Sequence, residues 1–362
     1  MRHPVRLAVA ALVLAVAALV AMGSPPRSAA TPPYQGFGTE TLGGAAGDVI
    51  HVTTLADSGA GSLREALATG NRTIVFDVGG TITLLDHLFL NGANITIDGL
   101  TAPAPGITLK NFGLVIRGTR GCHDVIVRGL RIRNAAIDGI QIANNAHHIV
   151  VDQVSVQGSG DGNIDITEGS QDVTVSWSIL AEPAGQGKNM LIKYNPLRVT
   201  VHHNLFVSAK QRNPQARVDD PGTVATGLVL DMRNNVVWNW SNGSGTHVWY
   251  GATANIVNNF FGSPTSTTIA RTRAVIVCRG ECDGAPASAS RAYVDGNVSW
   301  DRRHAYINAE NTEPEPFPAA PVDTDSTCVA LGRVMADAGV RPLDALDTTY
   351  VGTVRPSMCR PL

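Results

Sequence analysis

The chain has 362 residues, with 28 Lys and Arg against 30 Asp and Glu and a formal net charge of −2. That balance offers no polycationic surface for nucleic acid, and beyond the N-terminal segment no run is long and apolar enough to span a bilayer. The length allows one large core or two small ones.

In chain order, Arg2 and Arg6 precede an apolar run from Leu7 to Met22, and small residues follow, ending Ser28-Ala29-Ala30. This pattern predicts a secretory signal peptide over residues 1–30, cleaved near Ala30. The remainder, 31–362, is then an exported, extracellular, soluble domain, with a monomer as the default. Val52 to Leu55 reads as a strand and Asp57 to Gly61 as a turn. Ser62 then caps a short helix, Leu63 to Leu67, with Glu65 completing a capping box. Ile74 to Val78 is a further strand, ended by Gly79-Gly80.

From there short β-rich segments recur: Ile95–Ile97, Val125–Val127, Ile149–Val151, Val173–Val175, Val199–Val201, Leu228–Leu230, Ile256-Val257 and Tyr293-Val294. Their central spacing of about 24 to 26 residues signals stacked repeats, and no helical pattern intervenes. Parallel strands need crossovers, so coils of this length without helices predict an all-β fold, a right-handed parallel β-helix. The early helix caps it at one end, and Cys328 to Ala338, stopped by Gly339, gives a short C-terminal helix. Asn204, Asn235, Asn259 and Asn297 each precede an apolar pair or residue, which suits an asparagine ladder running through one turn of successive coils. Glu310 to Asp325 reads as a surface loop.

Five cysteines in an exported chain suggest disulfides and one thiol left over. Cys278 and Cys282 close a tight loop, Cys328 and Cys359 would tie down the tail, and Cys122 is the odd one. Without Cys-x-x-Cys pairs or a His cluster, a metal role for these cysteines has little support.

Charge is segregated along the chain. Asp138 to Glu182 holds seven acids and no Lys or Arg, whereas Lys188 to Arg217 holds six bases and no acid. Asp138, Asp161 with Asp165, Lys188 and Arg212 follow one another at steps close to one coil. Residues one coil apart are about 4.8 Å from each other, so they should form a column on one outer face. Clustered carboxylates repel unless neutralised, and an all-oxygen set favours a hard ion such as Ca²⁺. The alternative is that Asp161, between two glycines, and Asp165 are solvated loop residues. Trp238, Trp240, Trp249 and Tyr250 follow the basic segment, either as packing or as platforms for sugar rings.

These residues resemble the pectate lyases of polysaccharide lyase family 1, over nearly all of 31–362. Val52 to Ala66 is similar to the family's N-terminal cap, Ile97 to Pro103 to another of its stretches, and Ala338 to Asp347 to its bacterial tails. Asp161-Gly162-Asn163-Ile164-Asp165 resembles the segment that supplies two calcium ligands. Lys188 matches the substrate-binding lysine. Arg212, Pro214 and Arg217 match the family's most specific motif, in which the first Arg is the catalytic base and the second binds substrate. Three positions depart from the pattern: Gln153 and Gln186 stand where His is usual, and Ala136 where a further calcium ligand is.

The resemblance implies Ca²⁺-assisted β-elimination of α-1,4-polygalacturonate, with Asp138, Asp161 and Asp165 as metal ligands, Lys188 and Arg217 on substrate carboxylates, and Arg212 taking the C5 proton. A guanidinium is ordinarily protonated, so neighbouring positive charge must lower its pKa, and activity should rise toward alkaline pH. Two other readings stand beside this one. A polygalacturonase-type hydrolase would use Asp161 and Asp165 as acid and base; a non-catalytic β-helix would only bind anionic polysaccharide.

Overall fold

Runs of β-branched residues one coil apart leave the chain a single way to bury them, which is to stack the coils so that each run lies on the next. In the computed structural model the segments Ile95–Asp98, His123–Arg128, His147–Asp152, Gln171–Ser176 and Leu197–His202 pair in parallel in one sheet of ten strands. Two further parallel sheets have nine strands each among the described residues, and every sheet takes one strand per coil, so the fold is a parallel β-helix. The structure describes residues 34–218, 224–263, 273–278, 289–300, 305–307, 311–356 and 359. The expected signal peptide and Cys282 lie outside them.

Register carries the core. Ile95, Val125, Ile149, Val173 and Val199 are successive partners, and all are fully buried. Each coil places its apolar residue directly on the previous one, the arrangement in which parallel strands buried on both faces gain most from the hydrophobic effect. The asparagine ladder is present: Asn204 donates to Asn235, Asn235 to Asn259 and Asn259 to Asn297, at 3.0, 3.0 and 2.9 Å.

Among the described residues, two of the three outer faces are covered. Across the ten-stranded sheet, the N–H groups of Phe37, Gly38 and Gly44 bond to Thr200, Thr174 and Thr96. A Cβ on Gly38 would come 2.6 Å from the Ile149 carbonyl, so only glycine allows this approach. Further along, Phe317 and Asn255 exchange hydrogen bonds. With the short capping helix Leu63–Ala66 as α1, a second sheet buries Ile179, Leu205, Val236 and Trp238 against helices α2 (Thr327–Asp337) and α3 (Ala345–Thr353). The Cys328–Cys359 disulfide closes the tail, Cys278 is disulfide-bonded, and Cys122 is a buried free thiol.

The elements differ from expectation in detail. The first strand is Asp48–Val52 rather than 52–55, because Thr53 turns away to bond Gly61. The next is Arg72–Phe76, and the segment expected at 228–230 forms its strand at Leu230–Arg233. The capping helix, Leu63–Ala66, is capped by Ser62, but Glu65 reaches back to the Gly61 N–H instead of that of Ser62. Helix α3 has no counterpart in the sequence reading.

Candidate active site

The third sheet holds the strands Ile140–Ala143, Gly162–Thr167, Lys188–Lys193, Gln215–Arg217 and Thr246–Trp249 in successive coils. Alternation along each strand sends Ile142, Ile166, Ile192 and Ala216, which are register partners, into the core. The equally paired Gln141, Asp165, Leu191 and Gln215 therefore face outward. At the strand starts the Gly162 N–H donates to Asp138 Oδ1 at 3.1 Å, Gly162 pairs with Lys188, and Lys188 bridges to Gln211, the neighbour of Arg212.

This register gathers the acids. Asp138, Asp161 and Asp165 each offer a carboxylate oxygen, and the three oxygens lie within 4.8 Å of one another. Gly162 keeps the space between them open: a Cβ there would stand 2.5 Å from Asp165 Oδ1 and 3.3 Å from Asp138 Oδ1. Burial, reinforced by the charge of Asp161, pushes the Asp138 carboxyl up to about 6 against the opposing hydrogen bond from Gly162. Burial first, then the charges of Asp138 and Asp161, hold Asp165 well above the usual carboxylate range. Two buried carboxyls raised in this way beside a third carboxylate favour a cation between them, and an all-carboxylate set fits a hard divalent ion.

Bases adjoin the acids on the next two coils. Lys188 Nζ lies 2.9 Å from Asp161 Oδ1, with the lysine side chain 12% exposed and the aspartate 45%. Arg212 adopts a left-handed backbone, φ 62°, uncommon for a long side chain. Burial pushes its guanidinium below the ordinary range; Asp165 and Asp161 oppose that shift, and Arg217 adds to it. Desolvation is thus the leading cause, where the sequence suggested only neighbouring positive charge. The Nε atoms of Arg212 and Arg217 are both buried without a hydrogen-bond partner. Arg217 ends its strand beside Trp249, and its Cζ sits 4.1 Å from the ring centroid of Tyr250.

A second asparagine ladder escaped the sequence reading. Asn163 donates to Asn189 at 2.7 Å and Asn189 to Asn213 at 2.8 Å, all three within the buried interior. Its rungs directly follow Gly162, Lys188 and Arg212. The signal was present as Asn recurring at 26 and 24 residues, but without the apolar pair that marked the other ladder.

Of the four aromatics, Trp238 and Trp240 are each 1% exposed and pack inside, while Trp249 and Tyr250 are half-buried beside the site. Asp152 lies on the ten-stranded sheet, buried, bonded to Ser176 Oγ at 2.6 Å and pushed by burial up to about 6. Gln153 directly follows it, outside the strands of the site sheet, whereas Ala136 and Gln186 are exposed.

No family model matches the chain. Over 249 residues it is 34% identical to the probable pectate lyase C of Emericella nidulans, covering 67% of this chain and 56% of that protein. This chain is a relative of the pectate lyases. To the probable pectate lyase C of Aspergillus fumigatus it is 34% identical over 275 residues, 74% of this chain and 60% of the other. It therefore spans 56 to 60% of the length of these pectate lyases. The crystal structure of a pectate lyase from Bacillus sp. N165 in complex with trigalacturonate superposes with a TM-score of 0.63 at 19% identity, over 85% of this chain and 98% of that one. At that identity the likeness is one of fold: this relative has the β-helix of the pectate lyases.

Proposed function

We propose that this chain is an exported pectate lyase that cleaves α-1,4-linked polygalacturonate by β-elimination. The observation that carries the reading is the convergence of Asp138, Asp161 and Asp165 within 4.8 Å, next to Lys188 and Arg212 on the following coils. The relatives are pectate lyases by name, and the Bacillus enzyme is in complex with trigalacturonate, a ligand whose carboxylates suit a row of cations. The sequence of residues 1–30 supports export.

Asp138, Asp161 and Asp165 would hold Ca²⁺, which when bound supplies positive charge to stabilise the carbanion-like character that develops beside the uronate carboxylate. Lys188 and Arg217 bind substrate carboxylates and fix the sugar against the sheet. Arg212 accepts the C5 proton. Its buried guanidinium is already biased toward the neutral form, so alkaline pH raises the fraction able to act as a base. The C4 oxygen leaves as the C4–C5 double bond forms.

Arg212→Lys tests the assignment. It keeps a positive charge but moves the reacting nitrogen and removes the planar group. We expect kcat on polygalacturonate with Ca²⁺ to fall about 10³-fold or more with a modest change in KM. A near-normal kcat with a raised KM would make Arg212 a carboxylate clamp and place the base elsewhere.

A further inference from the structure

We propose that Tyr250 is the positioning residue for Arg217: its ring face holds the guanidinium in the orientation in which it meets a uronate carboxylate. The inference rests on the lyase reading above and extends it to a residue outside the matched motif.

Arg217, like Arg212, lacks the carboxylate partner that holds several other arginines of this molecule. Arg64 pairs with Asp57, Arg128 with Asp98, Arg133 with Asp347 and Arg198 with Asp172, each through a carboxylate at 2.6 to 2.9 Å. For Arg217 no carboxylate partner occurs among the described residues, and its buried Nε has no hydrogen-bond acceptor. A long side chain in that state pays rotamer entropy each time it binds, unless something fixes it beforehand. What lies against it is Tyr250, with the guanidinium carbon 4.1 Å from the ring centroid, well inside cation–π range.

The ring itself is fixed. Tyr250 packs against the apolar core and sits edge-on to Trp249 at 6.0 Å, and Trp249 stacks on His247 at 4.9 Å. Trp249 is also the register partner of Arg217, so the strand that follows the arginine motif supplies its support. An aromatic face suits the task better than an aspartate would. It attracts the cation without consuming its N–H donors, which stay available for a substrate carboxylate, whereas a carboxylate partner would compete with the substrate.

The test compares Tyr250→Phe, which keeps the ring face, with Tyr250→Leu, which keeps apolar bulk and loses it. On polygalacturonate with Ca²⁺, Phe should leave KM within about 2-fold of the parent, and Leu should raise it about 3- to 30-fold with kcat changed far less. A purely packing role would give Phe and Leu equal effects, or a fall in kcat matched by lost thermal stability, and either result overturns the proposal. A second readout needs no substrate: the ¹⁵N–¹H signal of Arg217 Nε, assigned by its loss in Arg217→Lys, should be shifted by the ring current in parent and Phe and move to a free-arginine position in Leu. If the parent neither binds nor cleaves polygalacturonate, the lyase reading fails, and this signal alone decides whether Tyr250 holds Arg217. An Arg217 signal unchanged in Leu overturns the positioning role whatever the activity.

Discussion

At the scale of single residues, the same desolvation that biases Arg212 toward neutrality acts on two histidines at the end of a strand of the ten-stranded sheet. His202 and His203 are 3% and 1% exposed, and burial pushes them down to about 3 and about 4. Their Nδ1 atoms are 3.0 Å apart, and His203 stacks on Trp177 with Asp325 3.6 Å from its Nε2. Both are neutral when folded but take protons near pH 6.5 when unfolded. Below that pH the unfolded chain binds more protons, so stability falls as pH drops from about 6.5 through the folded values, by about 1.4 kcal/mol per pH unit for each histidine. Asp138, Asp152 and Asp165, whose carboxyls are raised in the folded chain, contribute the opposite slope below pH 6, so the test is a difference. In denaturant unfolding between pH 7 and 4, His202→Asn should lose one proton's worth of acid destabilisation relative to the parent, and an unchanged slope would mean that His202 is not held neutral. The acids, Lys188 and Arg212 were legible in the sequence, because coil spacing alone stacks them. The pKa of Arg212 was not, since desolvation depends on side chains brought in from other coils.

Among the elements, the two asparagine ladders offer a controlled comparison. Asn189 bonds to Asn163, Asn213 and the Leu180 carbonyl, and Asn235 to Asn204, Asn259 and the Val201 carbonyl. Removing either side chain leaves buried partners unsatisfied, at a cost of about 1–3 kcal/mol. Only the first ladder runs beside Lys188 and Arg212. Asn189→Ala should therefore lower kcat at least about 10-fold, while Asn235→Ala loses similar thermal stability and keeps its turnover; equal activities in the two variants would show that the ladder has no part in spacing the site. Helix α3 was invisible to periodicity for a physical reason. Its buried positions include Asp347, fully enclosed and paired with Arg133 at 2.9 Å. A buried acid on the docking face, next to Leu346 and one turn before Tyr350, interrupts the apolar stripe by which a helix is found in sequence.

Over the whole molecule, one regularity produces both fold and site. Coils that differ in length but keep one register stack apolar residues into a core and, with the same register, bring acids and bases onto one outward face. The covers on the other two faces come from segments distant in sequence, which is why the repeats were legible and the choice of covered faces was not. Function at this scale turns on whether the face eliminates, hydrolyses or only binds. The deciding measurement follows polygalacturonate with the purified chain and Ca²⁺ at alkaline pH, recording ultraviolet absorbance and new reducing ends together. Both should rise in proportion, because elimination makes one C4–C5 double bond for each chain break, and a chelator should stop both. Reducing ends without absorbance would make the enzyme a hydrolase, and neither signal, with the polymer still bound, would make it a binding protein.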